Sequence, residues 1–539
     1  MRIHPVGTRA LLVELDDLSQ VMTWHEALTA QPLKDQVDAI AAATTLLLTF
    51  NTPNSAHAAA ELLEDFHPSA RSVEEPRLVE IDVLYDGADL DEAADLLGMS
   101  REALIDWHTS TEWLAAFGGF APGFTYCTPA DASRGVDIPR RSTPRTAVPN
   151  GAVGIAGNFS AVYPRVSPGG WQLLGTTSTP MWESDAQPPA LVQPGDRVRY
   201  RAVSSLPDIV STTPFGRRTP ARLPRMEVID PGLVTLFQDQ GRPGRGNLGV
   251  TPSGAADQAA AATANVAVGN PRGATVLENI GGIRLRALTD TVICVTGAQA
   301  RVLLDEMPVH LARPVLVTAG STVIVEPATY GMRSYIAIRG GIVADTELGS
   351  SSTDVLSGLG PAPVHIGDII GVLPRSSAMT DAQLTNPLRV SEGSHGQTSG
   401  VLRCVMGPRD DWFTQDSLDA FLEHEWEVTP QSNRVGLRLR ASDDATLSRA
   451  RSGELPSEGM VAGSVQVPPS GEPVVFLRDH AVTGGYPVIA TVLEEDIDIA
   501  AQLPPGATVR FELVEGNHDF CSPYCKPRRD RRAHCARCA

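Results

Sequence analysis

The sequence has almost no lysine, and this absence excludes several kinds of chemistry. Lys34 and Lys526 are the two lysines among 539 residues, so nearly all of the 44 basic residues are arginine. A Walker A loop needs a lysine between glycine and serine or threonine, and neither lysine has that setting. A Schiff-base lysine and a biotin-carrying Met-Lys-Met are equally absent.

Other absences indicate the cellular compartment of the protein and exclude some classes of partner. There is no run of about 18 apolar residues and no signal-type stretch at the N-terminus, so we expect a cytoplasmic protein with no membrane partner. The excess of 63 acidic over 44 basic residues gives a net charge of −19, which repels a phosphate backbone and argues against nucleic acid as a partner. Cys127, Cys294 and Cys404 are scattered, and in a reducing compartment we expect them to be unpaired, buried thiols.

Motifs of common hydrolases and of dinucleotide-binding folds are also missing. No HExxH or GxSxG occurs, so the sequence lacks the catalytic motifs of zinc proteases and of serine hydrolases. The serine run 350–352 has no nearby lysine to act as an amidase base. Residues 244–249 match Gly-x-Gly-x-x-Gly, but the next predicted helix begins too late to meet a phosphate. We interpret this segment as a loop whose glycines adopt positive φ values.

What the sequence does have is glycine and proline, 48 and 42 residues respectively, which predict many turns and a mainly β fold with an α+β part. Strands are predicted at 10–14, 45–50 and 78–84, and helices at 34–43 and 55–66. Asp89 opens one further helix and Ser100 caps another. In the second half we expect a helix over 255–268, capped by Ser253, and one near 414–424.

A recurring strand ending suggests a modular organisation. Gln193-Pro-Gly-Asp-Arg-Val-Arg-Tyr200 recurs as Leu503-Pro-Pro-Gly-Ala-Thr-Val-Arg-Phe511 and, more weakly, at 365–370, which favours three similar β modules. Polar, Gly/Ser/Pro-rich segments at 204–224 and 376–400 are predicted linkers. The predicted domains are a small N-terminal α/β domain at 1–80, β domains at 81–203, 225–375 and 401–515, and a tail at 516–539.

Three groups of residues are candidates for function. Asp239, Arg242, Ser253, Asp257 and Glu278 fall within forty residues, and are suited to orient an anionic or amide substrate or, equally, to pin a long loop. Phe120, Phe124, Tyr126, Trp171 and Gln172 are suited to form the wall of a pocket or, equally, a packed corner. Cys521, Cys525, Cys535 and Cys538 have metal-ligand spacing and are suited to hold zinc, unless the tail is a disordered extension.

Longer motifs resemble a known pair of protein families. The first half is similar to the smaller allophanate hydrolase-like subunit in Tyr85-Asp-Gly-Ala-Asp-Leu90, Gly119-Phe-Ala-Pro-Gly-Phe-Thr-Tyr126, Pro139-Arg-Arg-Ser-Thr-Pro-Arg145, Val153-Gly-Ile-Ala-Gly157 and Tyr163-Pro-Arg-Val-Ser-Pro-Gly-Gly-Trp171. The second half resembles the larger subunit in Asp230-Pro-Gly-Leu-Val-Thr-Leu-Phe-Gln-Asp-Gln-Gly-Arg-Pro-Gly244, Ser253-Gly-Ala-Ala-Asp257, Arg339-Gly-Gly-Ile342, Ser457-Glu-Gly459, Gln466-Val-Pro-Pro469 and Thr483-Gly-Gly-Tyr-Pro487. The similarity covers about residues 1–515.

This resemblance implies cyclophilin-like β-barrel modules in both halves. It also implies kinship with the carboxyltransferase part of urea amidolyase, with two subunits of ATP-dependent 5-oxoprolinase, and with a sporulation-kinase inhibitor and its antagonist. The leading hypothesis is a fused pair of 5-oxoprolinase subunits that opens 5-oxo-L-proline to L-glutamate with ATP, Mg²⁺ and a separate third subunit. The alternatives are biotin-dependent carboxyl transfer with a separate carrier and non-catalytic regulation of a histidine kinase. An oligomer is compatible with all three.

The resemblance also suggests roles for individual residues within the matched segments. Arg145, Arg242 and Arg434 are candidates to stabilise a transferring charge, Asp239 and Asp257 to bind Mg²⁺, and Glu458 and Asp479 to handle protons. The candidate substrate-binding residues are Phe120, Tyr126, Arg145, Tyr163, Trp171, Gln172, Glu278, Arg434, Gln466 and Tyr486. The chain lacks three family arginines, in the motifs that here read Gly175-Thr-Thr-Ser-Thr-Pro180, Leu348-Gly-Ser-Ser-Ser-Thr353 and Asp479-His-Ala-Val482.

Overall fold

Strands dominate the computed structural model, with 37% of residues in strands and 16% in helices, which confirms the predicted mainly β fold. The structure describes residues 1–68, 76–141, 143, 145–207, 223–374, 384–393, 398–443 and 445–514. Most of the predicted linker 204–224 and part of the linker 376–400 lie outside these residues. The predicted zinc ligands Cys521, Cys525, Cys535 and Cys538 also lie outside them.

The chain begins with a four-stranded antiparallel sheet whose two faces are both buried. One face packs under two helices, while the other carries Leu12, Ile40 and Leu47, which pack with Val482 of the second half. Alternating side chains of one strand therefore serve two different interfaces. The sheet order is β1-β2-β4-β3, and the elements are β1 (Arg2–Val6), β2 (Ala10–Glu14), α1 (Leu18–Ala30), β3 (Gln36–Ala41), β4 (Thr45–Phe50) and α2 (Pro53–Glu64).

The predicted helix at 34–43 is wrong, because this segment is strand β3. It pairs antiparallel with β4, with a bulge between Gln36 and Asp38. Ala39, Ile40 and Ala41 are all buried, and this double-sided burial hides the alternation that identifies a strand. Helix α1 was not predicted. Its N-cap Asp17 accepts a hydrogen bond from the backbone N–H of Gln20.

The rest of the first half forms a seven-stranded barrel-like sheet in the order β12-β9-β10-β7-β6-β13-β5. A bridge between Leu84 and Thr176 joins its two edges. The elements are β5 (Leu78–Val83), α3 (Leu90–Leu96), α4 (Arg101–Ser110), β6 (Trp113–Gly118), β7 (Thr125–Pro129), a 3₁₀ turn (Ala132–Arg134), β8 (Arg145–Val148), β9 (Ala152–Ala156), β10 (Phe159–Val162), β11 (Ser167–Gly169), β12 (Gln172–Thr176) and β13 (Arg197–Ala202). Strands β8 and β11 form a separate ribbon.

The second half begins with two sheets that pack face to face, in the orders β20-β19-β22-β17-β14-β24 and β15-β16-β23-β18-β21. Along β23, Ile336 and Ile338 face the core between the sheets, and Tyr335 and Ala337 pack against α5. The elements are β14 (Pro224–Asp230), β15 (Val234–Gln238), a 3₁₀ turn (Gly246–Leu248), α5 (Gln258–Ala267), β16 (Val276–Ile280), β17 (Ile283–Ala287), β18 (Thr291–Gln299), β19 (Val302–Leu304), β20 (Met307–Val309), β21 (Val315–Val317), β22 (Thr322–Val325), β23 (Tyr330–Ile338) and β24 (Ile369–Gly371).

The predicted cap of α5 is also wrong. Asp257, not Ser253, is the N-cap, and its side chain accepts a hydrogen bond from the N–H of Ala260 at 2.8 Å. Ser253 lies four residues earlier with a positive φ of 54°. Its hydroxyl donates to Asp479 instead, because a tertiary partner competes successfully for this short polar side chain.

The chain continues into a closed barrel. Its eight strands follow the order β25-β26-β33-β30-β31-β28-β27-β34, and β34 also pairs with β26. The elements are β25 (Ser391–Glu392), β26 (Thr398–Met406), a 3₁₀ turn (Asp410–Trp412), α6 (Gln415–Glu423), β27 (Trp426–Val428), β28 (Gly436–Ala441), β29 (Glu458–Gly459), β30 (Ser464–Gln466), β31 (Val474–Phe476), β32 (Thr483–Gly484), β33 (Val488–Val492), α7 (Glu494–Ala500) and β34 (Thr508–Leu513). Helix α7 was not predicted.

The recurring strand ending marks equivalent positions in the two barrels. The first occurrence runs into β13, which pairs parallel with β5, and the second runs into β34, which pairs parallel with β26. The third occurrence leads into β24, which pairs antiparallel with β14. The motif therefore identifies two similar barrels, and the third match belongs to a different arrangement.

The two halves approach each other closely where glycines leave room. A Cβ on Gly118 would lie 2.4 Å from the carbonyl oxygen of Asn247, and one on Gly249 would lie 2.2 Å from that of Ala121. Gly249 has a φ of 74°, as expected for the glycine-rich loop 244–249. Cys127, Cys294 and Cys404 are buried and unpaired, as predicted. In the described part of the chain, no helix is long and apolar enough to cross a membrane.

Leu47 provides a test of the packing between the halves. Its side chain is fully buried in a cluster that contains Val482, so Leu47→Ala should lower the free energy of unfolding by about 2–5 kcal/mol. Leu62→Ala is a matched control because Leu62 is 62% exposed on α2, where the change should stay within about 0.5 kcal/mol. Urea denaturation measures both variants, and equal losses would contradict the packing.

Candidate functional site

Asp239 follows strand β15 and binds the serine run of the second half. Its Oδ1 accepts hydrogen bonds from the hydroxyls of Ser350 and Ser352, both at 2.6 Å, and from the N–H of Gly241 at 2.7 Å. Its Oδ2 accepts from the N–H of Ser351 at 2.7 Å. All four donors are neutral, and among the described residues no cation pairs with this half-buried carboxylate.

Arg242 and Gln238 approach the same loop with unused hydrogen-bonding capacity. The Arg242 guanidinium donates to the carbonyl oxygens of Glu347 and Ser352, and Gln238 donates to that of Thr353 at 2.9 Å. Arg242 Nη1 and Gln238 Oε1 are buried and have no hydrogen-bond partner among the described residues. Buried polar atoms without partners are rare in native proteins, where an ordered water or an ion often satisfies them.

Asp354 ends this loop and is fully buried. Its Oδ1 accepts from the N–H groups of Leu356 and Ser357, both at 3.0 Å, while its Oδ2 has no partner in the described part of the chain. Burial and then the negative charge of Asp479 raise the pKa of Asp354 to about 6. This carboxyl group therefore changes protonation close to neutral pH.

Arg434 joins two carboxylates, Glu278 in strand β16 and Asp479 in the turn after β31. It donates from Nε to Asp479 Oδ2 at 2.9 Å and from Nη2 to Asp479 Oδ1 at 3.1 Å, and it pairs through Nη1 with Glu278 of β16. Nη2 also donates to the carbonyl oxygen of Gly254 at 2.6 Å. Burial alone would lower the pKa of Arg434, but Asp479 and Glu278 raise it, so the guanidinium stays charged.

Hydrogen bonds extend this arrangement on both sides. Asp479 accepts from the hydroxyl of Ser253 at 2.7 Å and from the N–H of Val355 at 3.0 Å, next to Asp354. On the other side, Tyr335 donates to Glu278 at 2.9 Å and accepts from the N–H of Asp257 at 2.8 Å. We call the set Asp239, Arg242, Glu278, Asp354, Arg434 and Asp479 the polar network.

The first half also reaches the polar network. Burial lowers the pKa of the half-buried guanidinium of Arg165, and the negative charges of Asp354 and Glu347 act in the opposite direction. The hydroxyl of Ser184, also from the first half, donates to Glu347. Both halves therefore contribute charged or polar groups to one region.

Asp257 lies at the edge of the polar network with both oxygens in use. Oδ1 caps α5, and Oδ2 accepts from Gln502 at 2.8 Å. Burial and then the charge of Asp498 raise its pKa to about 7. The described residues contain no group of three or more His, Cys, Asp or Glu side chains that could hold a metal ion, and this includes the sites suggested for Mg²⁺ at Asp239 and Asp257.

Glu458 and Arg145 lie apart from the polar network in ion pairs of their own. Glu458 pairs with Arg409, whose Nη1 also lies 3.5 Å from Glu14 of the N-terminal sheet. Arg145 donates to Asp89 from both Nη atoms, at 2.8 and 2.6 Å. These pairs connect neighbouring elements of the fold.

The predicted aromatic residues form one cluster that touches the second half. The ring centroid of Phe124 lies 5.2 Å from that of Phe120, 5.0 Å from that of Tyr126, 5.2 Å from that of Tyr163 and 5.5 Å from that of Trp171. The N–H of Phe120 donates to the hydroxyl of Thr483 at 3.0 Å. The cluster therefore combines a packed corner with a contact between the halves.

The remaining predicted residues lie beside this contact. Gln172 donates to the carbonyl oxygen of Pro139 at 3.4 Å, and its Oε1 is buried without a partner among the described residues. Gln466 donates to the carbonyl oxygen of Tyr486 at 3.0 Å. The Tyr486 ring lies 5.9 Å from the Arg449 guanidinium carbon.

Asp354, Arg165 and Glu347 were missed by the sequence analysis. Arg165 lies inside the quoted segment 163–171, and Asp354 directly follows the quoted segment 348–353. The motifs therefore already indicated Arg165 and Asp354, because charged residues within or next to a motif are candidates in the same way as Arg145.

Family models match most of the chain. The carboxyltransferase domain, subdomains C and D, matches residues 1–192, and subdomains A and B match residues 248–513. The second half is 34% identical over 290 residues to the C subunit of 5-oxoprolinase from Escherichia coli K12, which covers 53% of this chain and 90% of that protein. The B subunit of 5-oxoprolinase from Escherichia coli O157:H7 is 35% identical over 208 residues, covering 37% of this chain and 94% of that protein.

A solved structure spans both halves. The crystal structure of TTHA0988 is similar with a TM-score of 0.81 and 32% identity, covering 94% of this chain and 99% of that chain. The barrel-like sheets and the order of the halves agree with this relationship, which confirms the resemblance predicted from the motifs. The chain therefore belongs to the carboxyltransferase-domain family, and in one polypeptide it joins a part similar to the 5-oxoprolinase B subunit to a following part similar to the C subunit.

Proposed function

We propose that this chain supplies two fused subunits of an ATP-dependent 5-oxoprolinase and opens 5-oxo-L-proline to L-glutamate together with a separate third subunit. The observation that carries the proposal is the polar network, whose carboxylates and guanidiniums belong to the second half and whose Asp354 acts electrostatically on Arg165 of the first half. The similarity to the B and C subunits of 5-oxoprolinase supports the same assignment.

The chemistry of a lactam explains why such a network is useful. The amide is resonance-stabilised and reacts poorly with water, so transfer of the γ-phosphoryl group of ATP to the amide oxygen creates a better electrophile. Water then adds to the carbonyl carbon, the ring C–N bond breaks, and the nitrogen takes a proton. A second water releases the phosphoryl group as phosphate. The balance is 5-oxo-L-proline, ATP and two waters to L-glutamate, ADP and phosphate. Each step develops negative charge on oxygen, which a preorganised guanidinium stabilises.

Two residues of the polar network are suited to these steps. Arg242 has a buried N–H with no partner among the described residues, so it is suited to donate to an oxygen that becomes negative. Asp354 has a carboxylate oxygen without a partner in the described ranges and a pKa raised to about 6 by burial and Asp479, so it is suited to accept the proton of the attacking water. Arg434 is fully engaged and keeps Asp479 and Glu278 in place.

Consumption of ATP provides the direct test. The purified chain, mixed with the separately purified third subunit, 5-oxo-L-proline and ATP–Mg²⁺, should release phosphate and L-glutamate in equal amounts. Each component omitted in turn serves as a control, and phosphate release should then fall to the background rate. Release that is independent of 5-oxo-L-proline, or no L-glutamate in the complete mixture, would reject the proposal.

Asp354→Asn tests the proposed proton acceptor. Since Asp354 must be ionised to accept a proton, kcat/KM of the unmodified enzyme should fall about tenfold for each pH unit below about 6. The variant should lose about 10²–10⁴-fold in kcat/KM and also lose this acid limb. Asp416→Asn is the matched control because Asp416 is exposed on α6.

Stability separates this role from a purely structural one. The pKa of Asp354 is higher in the folded state than its ordinary value of 3.8, so the folded state binds its proton more tightly, and this contribution to stability is lost as the pH rises from about 4 to about 6. Asn keeps the shape and removes the repulsion with Asp479, so the variant should be at least as stable at about pH 8. A large loss of stability there, with the pH profile unchanged, would assign Asp354 to the fold alone.

Carboxyl transfer is the second candidate, because both halves match carboxyltransferase-domain models. In this reaction a carboxyl group would pass from carboxybiotin on a separate carrier to a urea-like acceptor. The chain should then exchange labelled bicarbonate into the acceptor when a biotinylated carrier and its carboxylase are supplied. Labelling that depends on this chain would favour carboxyl transfer, and labelling that is equal without it would reject this candidate.

A further inference from the structure

A cavity of about 250 Å³ lies between the N-terminal sheet, the loop around residues 243–252 and the C-terminal barrel. None of the six residues of the polar network lines it. Arg478 and His480, the neighbours of Asp479 in the sequence, both do. The cavity is therefore close to the polar network along the chain, yet it has a different set of side chains.

Two arginines line the cavity, and they differ in their pairing. Arg478 is 8% exposed, its Nη1 donates to Glu494 at 2.7 Å and its Nη2 lies 3.7 Å from Asp498. Arg9 is half-buried, and among the described residues it has no carboxylate at ion-pair distance. The unpaired charge of Arg9 is therefore suited to an anionic group from outside the chain.

The acidic groups of the cavity are already engaged. Asp38 accepts from the N–H groups of Ala39 at 3.0 Å and Gly246 at 2.7 Å. Glu494 accepts from Arg478, and the charge of Arg9 reaches it only from beyond ion-pair distance. The guanidinium of Arg9 therefore faces no free carboxylate of this group. An incoming molecule should bring acceptor oxygens, and the charge of Arg9 favours an anion.

The rest of the wall is apolar and the space is small. Its apolar side chains include Val6, Ile40, Phe50, Val250, Met460 and Val482. Pockets for drug-sized ligands enclose about 300–1,000 Å³, so this cavity fits a smaller metabolite with a short aliphatic body. Because the lining comes from both halves, a bound molecule would contact both.

We propose that this cavity is a binding site for a small aliphatic carboxylate, whose oxygens pair with the guanidinium of Arg9. The inference does not depend on the proposed reaction, since the polar network contributes no residue to the cavity. It adds a second site to the chain, formed jointly by the N-terminal sheet and the C-terminal barrel.

Calorimetric titration of the full chain, without ATP or a partner subunit, tests the site. The probes are 5-oxo-L-proline and L-glutamate, with 2-pyrrolidone as a ring of the same size that lacks the carboxylate. At least one of the two carboxylates should bind saturably, and 2-pyrrolidone should bind at least tenfold more weakly. No binding of either carboxylate, or equal binding of 2-pyrrolidone, would overturn the proposal.

Variants locate the binding. Arg9→Gln should weaken carboxylate binding at least tenfold, whereas Arg101→Gln, on the exposed surface of α4, should leave it unchanged. Asp354→Asn should also bind the carboxylate normally, which separates this site from the proposed reaction. Thermal unfolding of each variant without ligand checks that it folds. Unchanged binding by folded Arg9→Gln, or lost binding in Asp354→Asn, would place the ligand outside this cavity.

Discussion

The buried guanidinium of Arg434 is the interaction on which the second half depends. It comes from the C-terminal barrel and holds Asp479 of that barrel together with Glu278 from the preceding sheets. Removing one member would leave a buried charge without its partner, which typically costs about 3–5 kcal/mol. Since Glu278 also binds Tyr335 and the N–H of Ala256, the same ion pairs fix the start of α5 relative to the barrel.

The relation between the two halves follows from close packing. The N-terminal sheet has no solvent-facing apolar side, because Leu47 and its neighbours pack on the second half. Backbone hydrogen bonds and glycine contacts then bring the loop around residue 247 against strand β6 and the turn that follows it. This contact brings the two halves close enough for the charge of Asp354 to act on Arg165, although the two residues are far apart in the sequence. An electrostatic link between Arg165 of the first half and the polar network of the second half requires such docking.

Local signals in the sequence predicted the strand-rich fold, several helices and the similarity of the two barrels. They failed for β3, where both faces are buried and alternation disappears, and for the cap of α5, where Ser253 has a tertiary partner. For the site, the motifs identified most of the second-half residues that converge on Arg434. They did not show that Arg145 is committed to Asp89, or that the charge of Asp479 acts on Asp354, because electrostatic partners far apart in the sequence depend on the tertiary packing.

The central claim is that the two halves share one functional network. A double-mutant cycle on kcat/KM between Arg165→Gln of the first half and Asp354→Asn of the second half tests it most directly. A shared network predicts that the double variant loses at least about fivefold less activity than the product of the two single losses, which corresponds to a coupling of about 1 kcal/mol. Losses that multiply independently would contradict the claim and leave two halves that are joined without a common site.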